Sequence, residues 1–193
     1  MRRPPGANTV RAMRSHFAQL PAPFRSAPVR SERRTVPVEH PSLDAMAAML
    51  TPADLPFRLV AGGPADVAGR LGLGPESRLS VSLLGNEAGH WLTVISATRI
   101  LDLEAAARAL GEPLAIAGAE AVRAVLGEVD PAALCPLASE PDVWHLVDHR
   151  LTRLPRLVCS AGSPERSIVI EPAGLMELLR PVVADVSVAA PTG

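Results

Sequence analysis

The stretch Gly127–Leu137 reads Gly-Glu-Val-Asp-Pro-Ala-Ala-Leu-Cys-Pro-Leu and lies between a helical pattern and a strand pattern. Pro131 and Pro136 fix φ at two points and remove two backbone donors. Ala132 and Ala133 add little side-chain bulk between them. Such a segment is stiff, and its remaining backbone N–H and C=O groups are expected to face a ligand. The alternative interpretation is an ordinary proline-bounded turn.

Two strand patterns upstream of this loop predict a β-hairpin. In Arg78–Leu84, alternation places Leu79, Val81 and Leu83 on one face and the residues between them on the other. After a short connection rich in glycine, His90–Ala97 returns as a second apolar run. We therefore expect these two strands to lie at the centre of a sheet.

The rest of the chain changes irregularly between helix and strand patterns. Because helices are interspersed with hairpins and do not follow each strand in turn, the order favours an α+β fold over a doubly wound parallel sheet. We predict a single domain with a mixed, mainly antiparallel curved sheet flanked by helices. The other predicted elements are helices at 43–50 (capped by Ser42), 65–71, 103–110 (capped by Asp102), 119–126 and from Pro172 onwards, strands at 57–60, 114–117, 143–147, 157–160, 167–170 and 182–188, and a turn at 151–154.

Charge and proline are unevenly distributed along the chain. Residues 1–35 hold eight arginines against one acidic residue, a net charge of +7, and since the whole chain carries −1, the remainder carries −8. We predict a disordered basic Pro/Arg-rich arm at 1–35, a folded domain at 36–188 and a frayed tail at 189–193. The arm is a solvated, disordered leader, the product of a start codon placed too early with Met13 as the true start, or a segment that neutralises nucleic-acid phosphates.

The composition narrows the class of protein. No run approaches the roughly 18 uncharged apolar residues of a membrane span, so we expect no membrane contact. The two cysteines, Cys135 and Cys159, are too few for a disulfide framework and fit a reducing cytoplasm. The chain contains no lysine, and its Ala-, Arg- and Pro-heavy usage indicates a GC-rich bacterial genome. Aromatic residues make up 3% of the chain, so base stacking is not expected to be a major way of binding nucleic acid.

Six segments share their order and spacing with a known family. They are a short helix with a leucine-glycine exit at 62–74, the central strand at 78–84, a helix opened by a leucine-aspartate pair at 98–110, the loop at 127–137 with Cys135-Pro136-Leu137 where the family has serine-proline-leucine or serine-proline-phenylalanine, a strand ending in aspartate at 144–151, and a small-small-glycine turn at 159–162. In these segments the chain, from about Phe57 to Val186, resembles the YbaK/prolyl-tRNA editing domain family, the trans-acting aminoacyl-tRNA deacylases.

The resemblance implies a function. Members of the family hydrolyse the ester between a wrong amino acid and the terminal adenosine of tRNA, in the service of translation fidelity. The loop backbone positions the substrate carbonyl and the attacking water, with help from the ribose hydroxyl of the substrate itself. No metal and no cofactor are implied. The expected partner is the 3′ end of aminoacyl-tRNA, with no DNA and no membrane, for a cytoplasmic monomer or weak homodimer.

The resemblance also predicts a site made mainly of backbone and small side chains, which would select a small amino acid. The predicted catalytic residues are Ala132, Pro136 and Ser82. The predicted substrate-binding residues are Ser80, Val81, Ala133, Leu134, Cys135, Asp148, Ser160, Ala161 and Gly162.

Two departures from the family pattern bear on catalysis. The family's glycine-x-x-x-proline is here Ala132-x-x-x-Pro136, and alanine does not adopt a positive φ cheaply. The family lysine of the central strand is replaced by Val81, while Arg78 lies an odd number of residues away, on the opposite strand face. A catalytically lapsed binding domain is therefore the alternative function.

Two further patterns admit a chemical and a structural interpretation. His145, Asp148 and His149 could be a metal cluster, but on a predicted strand the two histidines lie roughly 13 Å apart. Asp148 by itself could be a site residue or the N-cap of the turn that follows it. Cys135 could be a Cys/His nucleophile of an unrelated hydrolase or an ordinary buried thiol.

The same choice arises for an acidic pair and an aromatic pair. Asp102 and Glu104 could be a carboxylate pair, but the first turn of a helix favours acids. Trp91 and Trp144 are expected to be core residues rather than stacking platforms.

Overall fold

Strands dominate the part of the chain that the structure describes. In this computed structural model, the described residues are 56–86, 89–127, 129–137 and 143–191. They form β1 (Phe57–Ala61), α1 (Pro64–Arg70), β2 (Leu79–Gly85), β3 (His90–Ser96), β4 (Arg99–Leu101), α2 (Leu103–Leu110), β5 (Ala115–Ile116), α3 (Ala119–Leu126), β6 (Val143–Asp148), β7 (Leu157–Ser163), β8 (Arg166–Ile170), α4 (Pro172–Leu179), β9 (Val182–Ala184) and β10 (Ser187–Ala189). Short 3-10 helices lie at Pro75–Ser77, Pro131–Ala133 and His149–Arg153.

Some predictions fall beyond these residues. The predicted helix at 43–50, its cap Ser42 and the predicted arm at 1–35 lie outside the described residues, so the predicted domain limits stay predictions. At the other end, β10 continues to Ala189, the first residue of the predicted tail.

The strands form a mixed central sheet and two smaller antiparallel ones. The central sheet has the order β5-β2-β3-β6-β9, in which β2 pairs antiparallel with β5 and β3, while β6 pairs parallel with β3 and β9. The order β1-β8-β7 forms a three-stranded sheet, and β10 pairs with β4. The predicted α+β class with a mixed, mainly antiparallel sheet is therefore confirmed, as is the central place of the β2–β3 hairpin.

One face of the central sheet is covered by the 127–137 loop and by α3, and we call it the loop face. Leu83 of β2 and Leu92 of β3 are register partners, and both pack against Leu126 of α3 and Leu134 of the loop. Farther along the same face, a second apolar cluster includes Leu79, Val94, Val147 and Cys135. Burial of these apolar side chains anchors the loop to three strands at once, at about 25 cal/mol per Å² of apolar surface removed from water.

The opposite face is covered by α2, and we call it the α2 face. Leu84, Ile95 and Leu146 pack there against Ala106 of α2 and Val186. Asp102 begins the helix by accepting a hydrogen bond from the Ala105 N–H at 2.9 Å, and the helix ends at Gly111, whose φ of 76° is left-handed. No helix in the described part of the chain is long and apolar enough to cross a membrane.

The C-terminal strand differs from the prediction. The single strand expected at 182–188 is wrong, because the chain bends at Asp185 and Val186 and enters two different sheets as β9 and β10. Two bonds hold the bend: the Val186 N–H donates to Asp148 Oδ2 at 3.3 Å, and the Val186 carbonyl accepts from the Asp102 N–H at 2.9 Å. The partner strand β4, which the sequence patterns did not indicate, gives β10 its place.

A buried carboxylate ties this bend to the central sheet. Asp148 is 1% exposed and accepts hydrogen bonds from the Ser187 hydroxyl at 2.6 Å, the Arg150 N–H at 2.9 Å and the Val186 N–H. The Arg150 guanidinium also pairs with Asp185, and this hydrogen bond holds the pKa of the Asp185 carboxyl below its usual value. Asp148 therefore satisfies donors from the 3-10 helix that follows it and from the C-terminal bend.

We predict that Asp148→Ala lowers the free energy of unfolding by about 2–4 kcal/mol, because it leaves several buried donors without an acceptor. Asp130→Ala is the matched control, since the Asp130 carboxylate caps one exposed N–H, and its loss should cost about 1 kcal/mol or less. Urea denaturation followed by circular dichroism measures both. Equal losses in the two variants would contradict the role given to Asp148.

Candidate functional site

The 127–137 loop begins with a turn that uses its own acidic residue. Asp130 accepts a hydrogen bond from the Ala132 N–H at 2.9 Å through its side chain and one from the Ala133 N–H at 2.9 Å through its carbonyl. Pro131 and Ala132 are exposed in the resulting 3-10 helix. Ala132 has no positive φ, and in this loop the left-handed angle belongs to Gly127, with φ 77°. Alanine at the family's glycine position therefore causes no backbone strain here.

The second half of the loop is buried against the sheet. Ala133, Leu134, Cys135 and Pro136 are all buried, and the side chains of Leu134 and Cys135 belong to the loop-face clusters. Within the described residues, the backbone N–H groups of Leu134 and Leu137 make no hydrogen bond. The expectation that the loop backbone is left to face a ligand is thus met only in part, because the N–H groups of Ala132 and Ala133 already donate within the turn.

His145 fixes the end of the loop, a role that the sequence analysis missed. Its Nε2–H donates to the Pro136 carbonyl across 3.0 Å from the loop face of β6. Burial lowers the pKa of His145 below its ordinary 6.5, and the hydrogen bond to Pro136 opposes that shift only in part. The imidazole is therefore neutral near pH 7 and acts as a donor that positions the loop. The alternation of β6 could have revealed it, because His145 shares a face with Val143 and Val147.

The central strand divides the predicted site residues between the two faces. Val81 lies on the loop face and contacts both of its apolar clusters. Ser80 and Ser82 alternate with it and point to the α2 face, where their register partners are Ile95 and Thr93. The structure therefore does not bring Ser80 or Ser82 next to the loop, because a strand cannot place three consecutive side chains on one side.

Asp148 also lies away from the loop. It is on the α2 face of β6, and its side chain accepts the Arg150 N–H of the 3-10 helix that follows. The capping interpretation of this residue accounts for that contact. Its other bonds go to the C-terminal bend, so the structure places it in the network described above.

The residues predicted on β7 surround a bulge. The pairing of β7 with β8 is irregular between Ser160 and Ser163. The Ser160 hydroxyl donates to the Ser163 carbonyl at 3.1 Å and accepts from the Gly162 N–H at 3.2 Å, with Gly162 at φ 86°. Ala161 packs against the same cluster as Cys135. Among the predicted residues, the structure thus brings together Val81, Ala161 and the buried part of the loop, with the bulge at its border.

The two cysteines meet beneath the loop. Neither Cys135 nor Cys159 forms a disulfide, both are buried, and they belong to one cluster. The hydrogen bond with Cys135, together with burial, raises the pKa of the Cys159 thiol well above its ordinary value. The Cys159 thiol is therefore protonated and packs as a small apolar group.

The other interpretation of His145 and His149 was metal ligation, but the two residues lie in different elements. His145 belongs to β6, whereas His149 begins the following 3-10 helix. In the stretches of chain that the structure describes, no three side chains of His, Cys, Asp or Glu are grouped so as to hold a metal ion.

The acidic pair and the aromatic pair have different outcomes. Glu104 lies in the first turn of α2, one turn before Arg108, and Asp102 caps that helix, as the structural interpretation expected. The expectation that both tryptophans are core residues is wrong for Trp144, which is 49% exposed. Trp91 is partly buried and packs against the α2-face cluster.

Two of the surface depressions among the described residues include no residue of the 127–137 loop. One, of about 480 Å³, lies between β1, β8 and α4, beside Arg58, Arg156 and Glu177. The other, of about 490 Å³, lies between α2 and β10, beside Arg99, Arg108 and Arg150. A ligand that faces the loop backbone would therefore not lie in either of these two depressions.

Comparison with known proteins adds the decisive observation. A family model described as the aminoacyl-tRNA editing domain matches residues 64–178, which is more than half of the chain. The chain belongs to the aminoacyl-tRNA editing domain family. The matched range contains the central hairpin, the 127–137 loop and the β7 bulge, which are the elements brought together above. No curated protein matches the chain.

Solved structures share the fold of this editing domain. Hypothetical protein APE2540 superposes with a TM-score of 0.65 at 24% identity, over 78% of this chain and all of that one. A candidate trans-editing enzyme for prolyl tRNA synthetase superposes with a TM-score of 0.62 at 23% identity, over 69% of this chain and 87% of that one. At these identities the likeness concerns the fold.

The lowered pKa of His145 predicts how stability depends on pH. The unfolded histidine takes up a proton near 6.5 while the folded one does so at lower pH, so His145 contributes stability above pH 6.5 that is lost as the pH falls through the folded pKa. We expect His145→Gln to reduce this loss between pH 7.5 and 5.5, and Ile100→Ala, which removes an exposed side chain without a titratable group, to leave it unchanged. Urea denaturation at both pH values measures the effect, and an unaltered pH dependence in His145→Gln would contradict it.

Proposed function

We propose that this domain hydrolyses, in trans, the ester of a small mischarged amino acid on tRNA. The proposal is supported by the family match over 64–178 and by one element that lies within the matched range. That element is the 127–137 loop, which presents backbone groups beside small side chains on the loop face. We further propose a cytoplasmic bacterial protein that acts as a monomer or weak homodimer on the 3′ end of aminoacyl-tRNA, without DNA or a membrane as partner.

The chemistry needs few protein groups. Water attacks the ester carbonyl carbon, the acyl–oxygen bond to the ribose breaks, and the ribose oxygen takes a proton as it leaves. The N–H groups of Leu134 and Leu137, which have no partner among the described residues, are the candidates for holding the carbonyl oxygen as it gains negative charge. Neutral His145 positions the loop through Pro136, and a fixed loop places the ester for attack.

Selection of a small amino acid follows from the surface of the site. Ala133 and Ala161 contribute methyl groups, and Val81 contacts both clusters beneath the loop. The roles of Ser80, Ser82 and Asp148 remain predictions from the resemblance. These three residues lie on the α2 face, so the proposed mechanism gives them no direct contact with an ester held at the loop.

A panel of misacylated tRNAs tests the proposal. We expect the purified protein to release the amino acid from at least one of the tRNAs carrying alanine, serine, cysteine or proline, faster than buffer alone. Ala132→Leu should reduce kcat/KM about ten-fold or more, because it adds bulk on the exposed side of the loop. Ala173→Leu, an exposed alanine of α4, is the matched control. No release from any tRNA in the panel would reject the enzymatic function.

A catalytically lapsed binding domain is the second candidate function. The observation that favours it is Val81, which lies in apolar surroundings where the resemblance places the family lysine, in a chain that contains no lysine. Without a cation at this position, no positive point charge binds a phosphate or polarises a carbonyl on the loop face. Arg78 does not replace that charge, because it lies on the opposite face. A lapsed domain would bind tRNA or aminoacyl-tRNA without releasing the amino acid.

The exchange Val81→Lys separates the two functions. If catalysis was lost by this substitution, Val81→Lys should release amino acid at a rate clearly above that of the wild type, whereas Val81→Met, of similar length and without charge, should not. Thermal denaturation must accompany the assay, because a lysine among apolar side chains destabilises the fold. Equal rates in the folded Lys and Met variants would contradict a lapse at this position.

A further inference from the structure

Trp144 is a large apolar side chain that the fold leaves half uncovered. Its exposed fraction is 49%, whereas the other aromatic residues within the described residues, Phe57 and Trp91, are buried and partly buried. An indole group ordinarily contributes stability by being buried. Because tryptophan is enriched where proteins contact other molecules, a half-exposed indole is a candidate contact surface.

The exposed ring is held in a fixed position. Its centroid lies 5.1 Å from that of Trp91, with an angle of 46° between the ring planes. Trp91 is itself fixed, because its Nε1–H donates to Glu112 Oε1 at 3.1 Å. On another side the ring lies against Gly89, where a Cβ would be 2.6 Å from Trp144 Cζ3. Glycine at position 89 thus leaves room for the ring, and the surface that remains open is rigid.

The position of Trp144 relates it to the proposed site. Its two neighbours in the chain both contact the loop: Val143 packs with Leu134, and His145 binds the Pro136 carbonyl. The Trp144 ring points to the opposite face, so the sheet separates it from the loop. A ligand that reaches both must therefore be extended, and it must pass around the end of the sheet.

We propose that Trp144 is a stacking platform for one unpaired nucleobase at the 3′ end of tRNA, upstream of the nucleotide that carries the ester. This inference rests on the proposed function. Stacking suits a rigid exposed indole because every base offers a π face, and each stacked base contributes about 1–3 kcal/mol. The sequence argued against stacking as a major strategy, and a single platform is compatible with an aromatic content of 3%.

The chain has two tryptophans, which makes the test direct. In full-length Trp91→Phe, Trp144 is the sole tryptophan, and we expect the trinucleotide 5′-CCA-3′ to quench its fluorescence in a saturable manner. An abasic ribose-phosphate of the same length should not quench it. In Trp144→Phe, where Trp91 is the sole tryptophan, quenching should be weak.

Affinity provides a second measurement that does not depend on fluorescence. By equilibrium dialysis with an uncharged CCA-ended RNA minihelix, Trp144→Ala should weaken binding at least about five-fold, the equivalent of 1 kcal/mol. Ile100→Ala, which truncates another exposed apolar side chain, 48% exposed, should leave the affinity unchanged. Circular dichroism confirms that each variant is folded.

Several outcomes overturn the inference. Unchanged affinity in folded Trp144→Ala, equal quenching by the abasic chain, or binding only to a second copy of the protein would each do so. Because the probes carry no amino acid, a protein that fails the deacylation panel can still show stacking. Conversely, release of amino acid at equal kcat/KM by wild type and Trp144→Ala would end this inference and leave the proposed function standing.

Discussion

The two-residue period of the central strands is the constraint on which the rest of this structure depends. In β2, β3 and β6 each successive side chain changes face, so one face receives α3 and the 127–137 loop while the other receives α2. The loop stays in place because Leu134 and Cys135 enter the apolar clusters of the first face. A residue can contribute to a site at the loop only if its position in the strand gives it that face.

The same constraint explains what could be predicted from the sequence. The hairpin, the capped helix α2 and the mixed sheet follow from alternation and capping, which are local signals. The composition of the site did not follow, because its predicted members included consecutive residues of one strand. Val81 faces the loop, and Ser80 and Ser82 do not. Choosing every second residue would have excluded both serines and included His145.

Long-range contacts account for the other differences. The split of the last predicted strand depends on Asp148 and Asp102, which bind Val186 from positions far away in the sequence. The exposure of Trp144 depends on which strands end beside it, and a local pattern of apolar residues carries no information about that. In both cases tertiary contacts decide the structure, because the local sequence pattern favours neither outcome.

The buried thiol pair has a practical consequence for studying motion in this domain. Cys135 belongs to the loop and Cys159 to β7, and both are inaccessible while the loop is seated. A thiol-specific reagent can reach them only after the 127–137 loop detaches from the sheet. The rate of labelling therefore measures how often the loop opens. The protein therefore carries its own reporter of how often the 127–137 loop leaves the sheet.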